Sequence, residues 1–236
     1  MLNKGYNSNM NVIILGGTGL LGSEFKKISN FILSGREIDI VNESELYSKL
    51  DIIRPDIIVL AAAESNSVKI DENPIPAIET NIKGTVNVTK YCIERNIRLV
   101  YISSDYVYDS QSGDHQEDEP LKPFNLYAWT KLGGECAIRA HKNSLIIRTS
   151  FGSSEYPYEF AYSDRFVSKD YVDVITPMIK DLILSDEVGV INVGTSNKTL
   201  YEYAKQRNPK VKELKQGLGQ MFVMDTTKLR KFYNKK

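Results

Sequence analysis

Residues 11–25 read NVIILGGTGLLGSEF, and this stretch decides the fold. Val12 to Leu15 is an unbroken apolar run, the pattern of a parallel strand buried on both faces. A glycine-rich turn follows, and then an amphipathic helical run containing Leu20, Leu21, Phe25 and Ile28. Gly16, Gly19 and Gly22 fall at the spacing G-x-x-G-x-x-G. The first permits the tight turn, the second admits a ligand close to the backbone, and the third lets helix and strand pack. Free N–H groups at such a helix start suit a pyrophosphate. The motif therefore reads as a dinucleotide site with Gly16, Thr18, Gly19, Leu20 and Gly22 as cofactor candidates, against the alternative of a purely structural turn.

A chain of 236 residues suits one large α/β domain over residues 1–236. Thirty basic residues balance thirty acidic ones, which argues against a nucleic-acid partner. The basic tail around Lys228, Arg230, Lys231, Lys235 and Lys236 reads as a solvated helix end. Cys92 and Cys136 lack C-x-x-C spacing and predict buried thiols in a reducing compartment. His115 and His141 are too isolated for a zinc site, so no metal is expected. No apolar run is long enough to span a bilayer, and the N-terminus MLNKGYNSNM lacks the apolar core of a signal peptide. A soluble, cytoplasmic protein without a membrane partner is the expectation.

Outward from the glycine turn, strand and helix patterns alternate. Phe31 to Leu33 reads as a second strand, ending in Ser34, Gly35 and Arg36. An arginine there can pair with a 2′-phosphate, so Arg36 favours NADP, with Asp39 a neighbouring cofactor candidate. Glu43 to Arg54 has helical spacing and stops at Pro55; Ile57 to Leu60 is a strand running into Ala61, Ala62 and Ala63, small enough to leave room for a flat ligand. Pro74 and Pro76 open a helix through Arg95, and Leu99 to Ile102 form a strand terminating in Ser103, Ser104 and Asp105. A polar loop, Ser110 to Pro123, precedes a helix from Asn125 to His141, and Leu145 to Ile147 supply another strand. Residues 152–165 are aromatic and irregular, 167–184 read as a helix carrying Pro177, and 188–193 as a last strand. Short helices are expected over 200–207 and 226–232. The alternation specifies a Rossmann-like doubly wound parallel sheet, with a small C-terminal substrate lobe from 151–166 and 194–236.

Tyr127 and Lys131 lie four apart and share a helical face. A phenol ordinarily titrates near 10, and a neighbouring ammonium would lower it, making Tyr127 an acid and base for carbonyl reduction. Ser104 could hydrogen-bond the same carbonyl. With 14 Tyr and 21 Lys in the chain, about one such pair arises by chance, and Tyr201 with Lys205 is an example. Only the pair at 127 and 131 follows a strand ending in Ser104.

The set GGTGLLG, AAA, ISSDYVYD and NLYAWTKLGGE resembles the extended short-chain dehydrogenase/reductases, and most the dTDP-4-dehydrorhamnose reductase group, over residues 11 to 150. The resemblance rests on Ser104 to Val107 and Tyr127 to Glu135. It implies NADPH-dependent reduction at C4 of a nucleotide-linked 4-keto-6-deoxy sugar. Tyr127 would donate the proton, Lys131 would lower its pKa and bind the nicotinamide ribose, and Ser104 would orient the carbonyl. Asn81 and Thr149 join the implied cofactor set, and Asp105, Tyr106 and Arg165 the substrate set. Dehydratases of this kind carry Asp-Glu after the serine and epimerase-reductases a cysteine at the place of Tyr106, so reduction alone is favoured. The resemblance also implies a homodimer, packed through the helices 76–95 and 125–141. The chain is shorter than usual for the group, the difference falling after Ser150. Other nucleotide-sugar chemistry, or an NADP-binding regulatory role like that of the β subunit of methionine adenosyltransferase, are the alternative readings.

Overall fold

Alternate residues along the apolar strands explain both faces of the central sheet. In the computed structural model, which describes residues 10–215, 217 and 219–235, β1 (Val12–Leu15) sends Val12 and Ile14 to one side and Ile13 and Leu15 to the other. β3 (Ile57–Leu60) does the same with Ile57 and Val59 against Ile58 and Leu60. All are buried, as a strand covered on both faces requires. Residues 1–9, most of the N-terminal stretch read above, and Lys236 of the basic tail lie outside the described residues.

With β2 (Ile32–Ser34), β4 (Arg98–Ser104), β5 (Ser144–Thr149) and β6 (Gly189–Val193) these strands form a six-stranded sheet in the order β6-β5-β4-β3-β1-β2, parallel throughout. Helices cover both faces. Leu20–Ile28, Val172–Ile183 and Thr227–Asn234 lie on the side of Val12 and Ile14, where Leu21, Phe25, Ile175, Ile179, Leu229 and Phe232 join the core. Glu43–Ile53, Thr85–Arg95 and Leu126–Ile138 contribute Leu46, Leu50, Val88, Tyr91 and Ile138 opposite. Strand order reverses between β1 and β3, where an open α/β sheet leaves a crevice at its carboxyl edge.

Three expectations change. The helix expected from Pro74 to Arg95 runs as Ile75–Ala77, a π-helical stretch Ile78–Gly84 and Thr85–Arg95, preceded by a further helix Ser67–Glu72 capped by Asn66. The helix expected over 167–184 begins at Val172, after short strands Phe166–Val167 and Asp170–Tyr171. Its first residues bond elsewhere: the Asp170 carboxylate accepts from Tyr171 N (2.8 Å), Thr195 Oγ1 (2.7 Å) and Lys198 Nζ (3.1 Å), and Ser168 Oγ from Met224 N (2.8 Å). Finally, the helix Thr227–Asn234, assigned from sequence to the substrate lobe, packs on the central core through Leu229 and Phe232. The small sheets made by Phe166–Val167, Lys198–Thr199 and Met221–Phe222, and by Phe160–Tyr162 with Lys212–Leu214, stand beyond the carboxyl edge of β5 and β6.

The polar loop after β4 is pinned by a buried network. Arg148 on β5 is fully buried and donates to both carboxylate oxygens of Glu135 (3.1 and 2.7 Å), to the Tyr108 hydroxyl (2.8 Å) and to the Glu117 carbonyl (3.2 Å). Tyr108 donates onward to Asn192 (2.8 Å), whose own N–H donates to Glu117 Oε1 (3.0 Å). His115 stacks on Tyr108 with ring centroids 4.7 Å apart.

Candidate active site

At the carboxyl end of β1 the chain turns with Gly16 at φ 97°, a left-handed conformation that disfavours a side chain. A Cβ on Gly16 would also stand 2.4 Å from the Ala62 nitrogen, so turn and post-β3 segment touch backbone to backbone. Gly22 has the packing role expected of it, because a Cβ there would meet Gly17 Cα at 2.4 Å. Gly19 starts the helix Leu20–Ile28 without a side-chain cap and with no acidic residue in the first turn, leaving its amides to a ligand.

Two cavities meet over this turn and share Gly16, Gly19, Ala61 and Ala63. The first, about 530 Å³, is bordered by Thr18, Arg36, Asp39 and Ala62 together with Ile38, Ile40, Glu64 and Thr80. The Asp39 carboxylate is turned to the Val41 amide at 2.9 Å. The second, about 390 Å³, brings together Leu20, Ser104, Asp105, Tyr106, Tyr127, Lys131 and Thr149. The fit to a dinucleotide rests on the glycine cradle, the two joined cavities and the buried Thr149 hydroxyl, which has no partner within the described residues.

Local structure places each candidate catalytic side chain. Asn125 caps the helix Leu126–Ile138 by accepting from Ala128 N (2.8 Å), which fixes Tyr127 in the first turn and Lys131 one turn later. The buried Lys131 ammonium lies 4.0 Å from the centre of the Tyr101 ring. Burial pulls its pKa down to about 7, with the Glu135 carboxylate opposing. Ser104 ends β4, and its hydroxyl accepts from Tyr106 N (3.1 Å). Asp105 is pushed up to about 7 by burial, against the pull of Lys169 and of the Ser150 and Ser104 hydroxyls.

The phenol of Tyr127 corrects one expectation. Burial raises its pKa well above the usual tyrosine value, Asp105 adds to the rise, and only Ser104 opposes it; Lys131 is not among the groups lowering it. The ammonium is turned to Tyr101 instead. Tyr127 is held protonated, the state of a proton donor.

Tyr106 stands in an aromatic wall, its ring centroid 4.7 Å from Phe124, 5.3 Å from Phe222 and 6.5 Å from Tyr127. Three candidates fall outside both cavities: Asn81, Arg165 and Gly22, the last of which has the packing role against Gly17. The buried Asn81 of the π-helical stretch accepts from Glu64 N and donates to Glu64 O and Thr130 Oγ1, each at 2.8 Å, so it fixes the segment after β3. Arg165 hydrogen-bonds Gln220 and lies over the rings of Tyr162 (5.4 Å) and Phe222 (5.5 Å), behind the wall. Conversely, Ser65, Ser150, Phe151 and Lys169 border the second cavity without having been picked out from sequence. The polar run Ser168-Lys169-Asp170, interrupting an apolar stretch, was the available signal for Lys169.

Comparison with known proteins fits this geometry. A dTDP-4-dehydrorhamnose reductase of Aggregatibacter actinomycetemcomitans is 25% identical over 202 residues, covering 80% of this chain and 68% of that protein. The methionine adenosyltransferase 2 subunit beta of Bos taurus is 31% identical over 144 residues, which cover 55% of this chain and 43% of the relative. Among solved structures, a dTDP-4-dehydrorhamnose reductase of Bacillus anthracis in complex with NADP superposes with a TM-score of 0.84 at 24% identity, covering 94% of this chain and 91% of that one. Residues 10–175 match the family described as RmlD substrate binding domain. The chain belongs to that family, and with it to the extended short-chain dehydrogenase/reductases.

Proposed function

We propose that this protein reduces the 4-keto group of a nucleotide-linked 4-keto-6-deoxy sugar, with NADPH as reductant and Tyr127 as proton donor. The observation that carries the reading is the meeting of Ser104, Tyr127 and Lys131 in one cavity that shares Gly16 and Gly19 with a second, larger one. Gly16, Thr18, Gly19 and Ala61 to Ala63 would hold the cofactor, Arg36 its 2′-phosphate, and Lys131 and Thr149 its nicotinamide end. Bound there, the nicotinamide supplies the hydride. Ser104 orients the carbonyl by donating to its oxygen. Tyr127, kept neutral by burial, gives that oxygen its proton as negative charge builds there. The small sheets beyond β5 form the substrate lobe, with Tyr106 walling the sugar side.

The test is NADPH oxidation with a panel of nucleotide-linked 4-keto-6-deoxy sugars, compared between the native chain and Tyr127→Phe. Turnover lost in the variant, by roughly 10²–10⁴-fold, is expected; equal turnover by both removes Tyr127 from the chemistry. A second reading, a non-catalytic dinucleotide-binding subunit, is favoured by the resemblance to the methionine adenosyltransferase subunit, and NADPH binding without turnover of any panel member would support it.

A homodimer is part of the proposal. Ile75, Ile78, Val86 and Ile93 on one helical rod and Leu126 and Trp129 on the next are exposed apolar side chains, the composition of a helix-mediated interface. Light scattering should give twice the chain mass, and a monomer at micromolar concentration would refute it. No helix of the described residues is long and apolar enough to cross a membrane.

A further inference from the structure

Four cations stand near the substrate side of the site, and the structure gives three of them partners or a role. Arg165 bonds Gln220 and stacks on Tyr162 and Phe222. Lys198 donates to Asp170 Oδ2, Thr195 Oγ1 and the Lys169 carbonyl at 3.1, 2.6 and 3.1 Å. Lys131 belongs to the reacting group already described. Lys169 is the fourth. Its neighbour Asp170 points to Lys198, whereas Lys169 itself borders the cavity of Ser104 and Tyr127, its ammonium 5.3 Å from the centre of the Tyr203 ring. Within the described residues this ammonium has no hydrogen-bond acceptor and no ion pair; its electrostatic partner is Asp105, which borders the same cavity.

Lys169 is half-buried, and an ammonium with unspent donors at the wall of a cleft is placed to bind a ligand group. Burial depresses the Lys169 pKa, against the pull of Asp105 and with Arg165 adding to the depression. Lys169 offers donors only, and the Asp105 carboxylate offers acceptors. An anionic ligand group at Lys169 would sit against that carboxylate. A hydroxyl can accept from one and donate to the other.

We infer that Lys169 and Asp105 form a subsite for a neutral hydroxyl of the substrate sugar, adjacent to the carbonyl that Ser104 and Tyr127 address. This rests on the keto-sugar reading of the same cavity. Lys169 is then a specificity-determining residue, selecting a ring that carries an oxygen beside the keto carbon over one lacking it.

The experiment uses the full chain loaded with NADP⁺ or NADPH, a dTDP-linked 4-keto-6-deoxyhexose and its 3-deoxy counterpart. Calorimetric binding and steady-state kinetics are read for the native chain, Lys169→Met, Lys169→Gln and Asp105→Asn, with thermal melts reporting folding. Loss of one charge-assisted hydrogen bond predicts a rise in Kd and KM of roughly 10- to 100-fold in Lys169→Met, with kcat changed far less. Lys169→Gln, which keeps a donor, should recover part of the loss, and Lys169→Met should no longer discriminate against the 3-deoxy sugar. Asp105→Asn should also weaken binding; tighter binding in that variant would mean an anionic group at Lys169 and overturn the inference. Native turnover with an unchanged KM in Lys169→Met overturns the subsite and leaves the reductase reading standing. Binding that depends on Lys169, without turnover, supports the subsite and refutes the reductase. Absence of any sugar binding refutes both.

Discussion

Replacing Arg148 with methionine tests how the buried network holds the helix Leu126–Ile138. Arg148 and Glu135 are both fully buried, joined by two charge-assisted hydrogen bonds of 3.1 and 2.7 Å, and Arg148 adds bonds to Tyr108 and to the Glu117 carbonyl. Arg148→Met leaves Glu135 without its main counter-charge; Arg139, at 3.9 Å and half exposed, compensates little. Removing one partner of such a pair costs about 3–5 kcal/mol. At about 2–4 °C per kcal/mol for a chain of this size, the melting temperature should fall by about 6–20 °C. The double variant Glu135→Leu/Arg148→Met removes both charges and should recover most of that loss, since a buried pair is roughly matched by apolar residues of similar volume. Urea unfolding of the native chain, both single variants and the double variant closes the cycle. The reasoning is refuted if Arg148→Met costs less than about 1 kcal/mol, or if the double variant loses the sum of the singles. The cycle also reaches the chemistry: Glu135 opposes the depression of the Lys131 pKa, so Glu135→Leu should leave Lys131 less protonated at neutral pH.

Gly16→Ala combines a left-handed φ of 97° with a Cβ placed 2.4 Å from Ala62 N, so it should destabilise by at least about 1–3 kcal/mol and abolish NADPH binding measured by fluorescence. Retained binding with a native melt would show that the turn relaxes. For Asp105, the folded pKa of about 7 lies above the ordinary value near 4, so the folded chain holds a proton that the unfolded chain has released between those limits. Its contribution makes stability fall as pH rises from about 4 to 7, and Asp105→Asn should flatten that part of the urea-derived profile; an unchanged slope counts against it. Lys131, with its folded pKa at about 7 against an ordinary value near 10.4, has the opposite sign higher up. Stability should rise from about pH 7 to 10, and Lys131→Met should remove the rise.

Sequence alone determined what is local. The strand, glycine turn and helix of residues 12–28 are contiguous, so apolar run and glycine spacing suffice to read them. Tyr127 and Lys131 share a helix, and a four-residue step puts both on one face whatever surrounds them. Ser104 was legible because β4 ends on it, and Ala61 to Ala63 because β3 runs into them. Tertiary structure decided whatever depends on segments distant in the chain. Arg148 meets Glu135 across 13 residues and Glu117 across 31, and Asn192 meets Glu117 across 75; no periodicity encodes such meetings. The family resemblance implies Asn81 as a cofactor contact, yet on the π-helical stretch its side chain bonds Glu64 and Thr130. Lys169 lies in a stretch that reads as helical, but the bonds of Ser168 and Asp170 to Met224, Thr195 and Lys198 hold its backbone out of the helix and leave its side chain at the cavity of Ser104 and Tyr127. Even the pKa of Tyr127 follows this division: sequence spacing supplies a lysine on the same helical face, whereas burial beside Asp105, which only the packed fold creates, raises the phenol pKa.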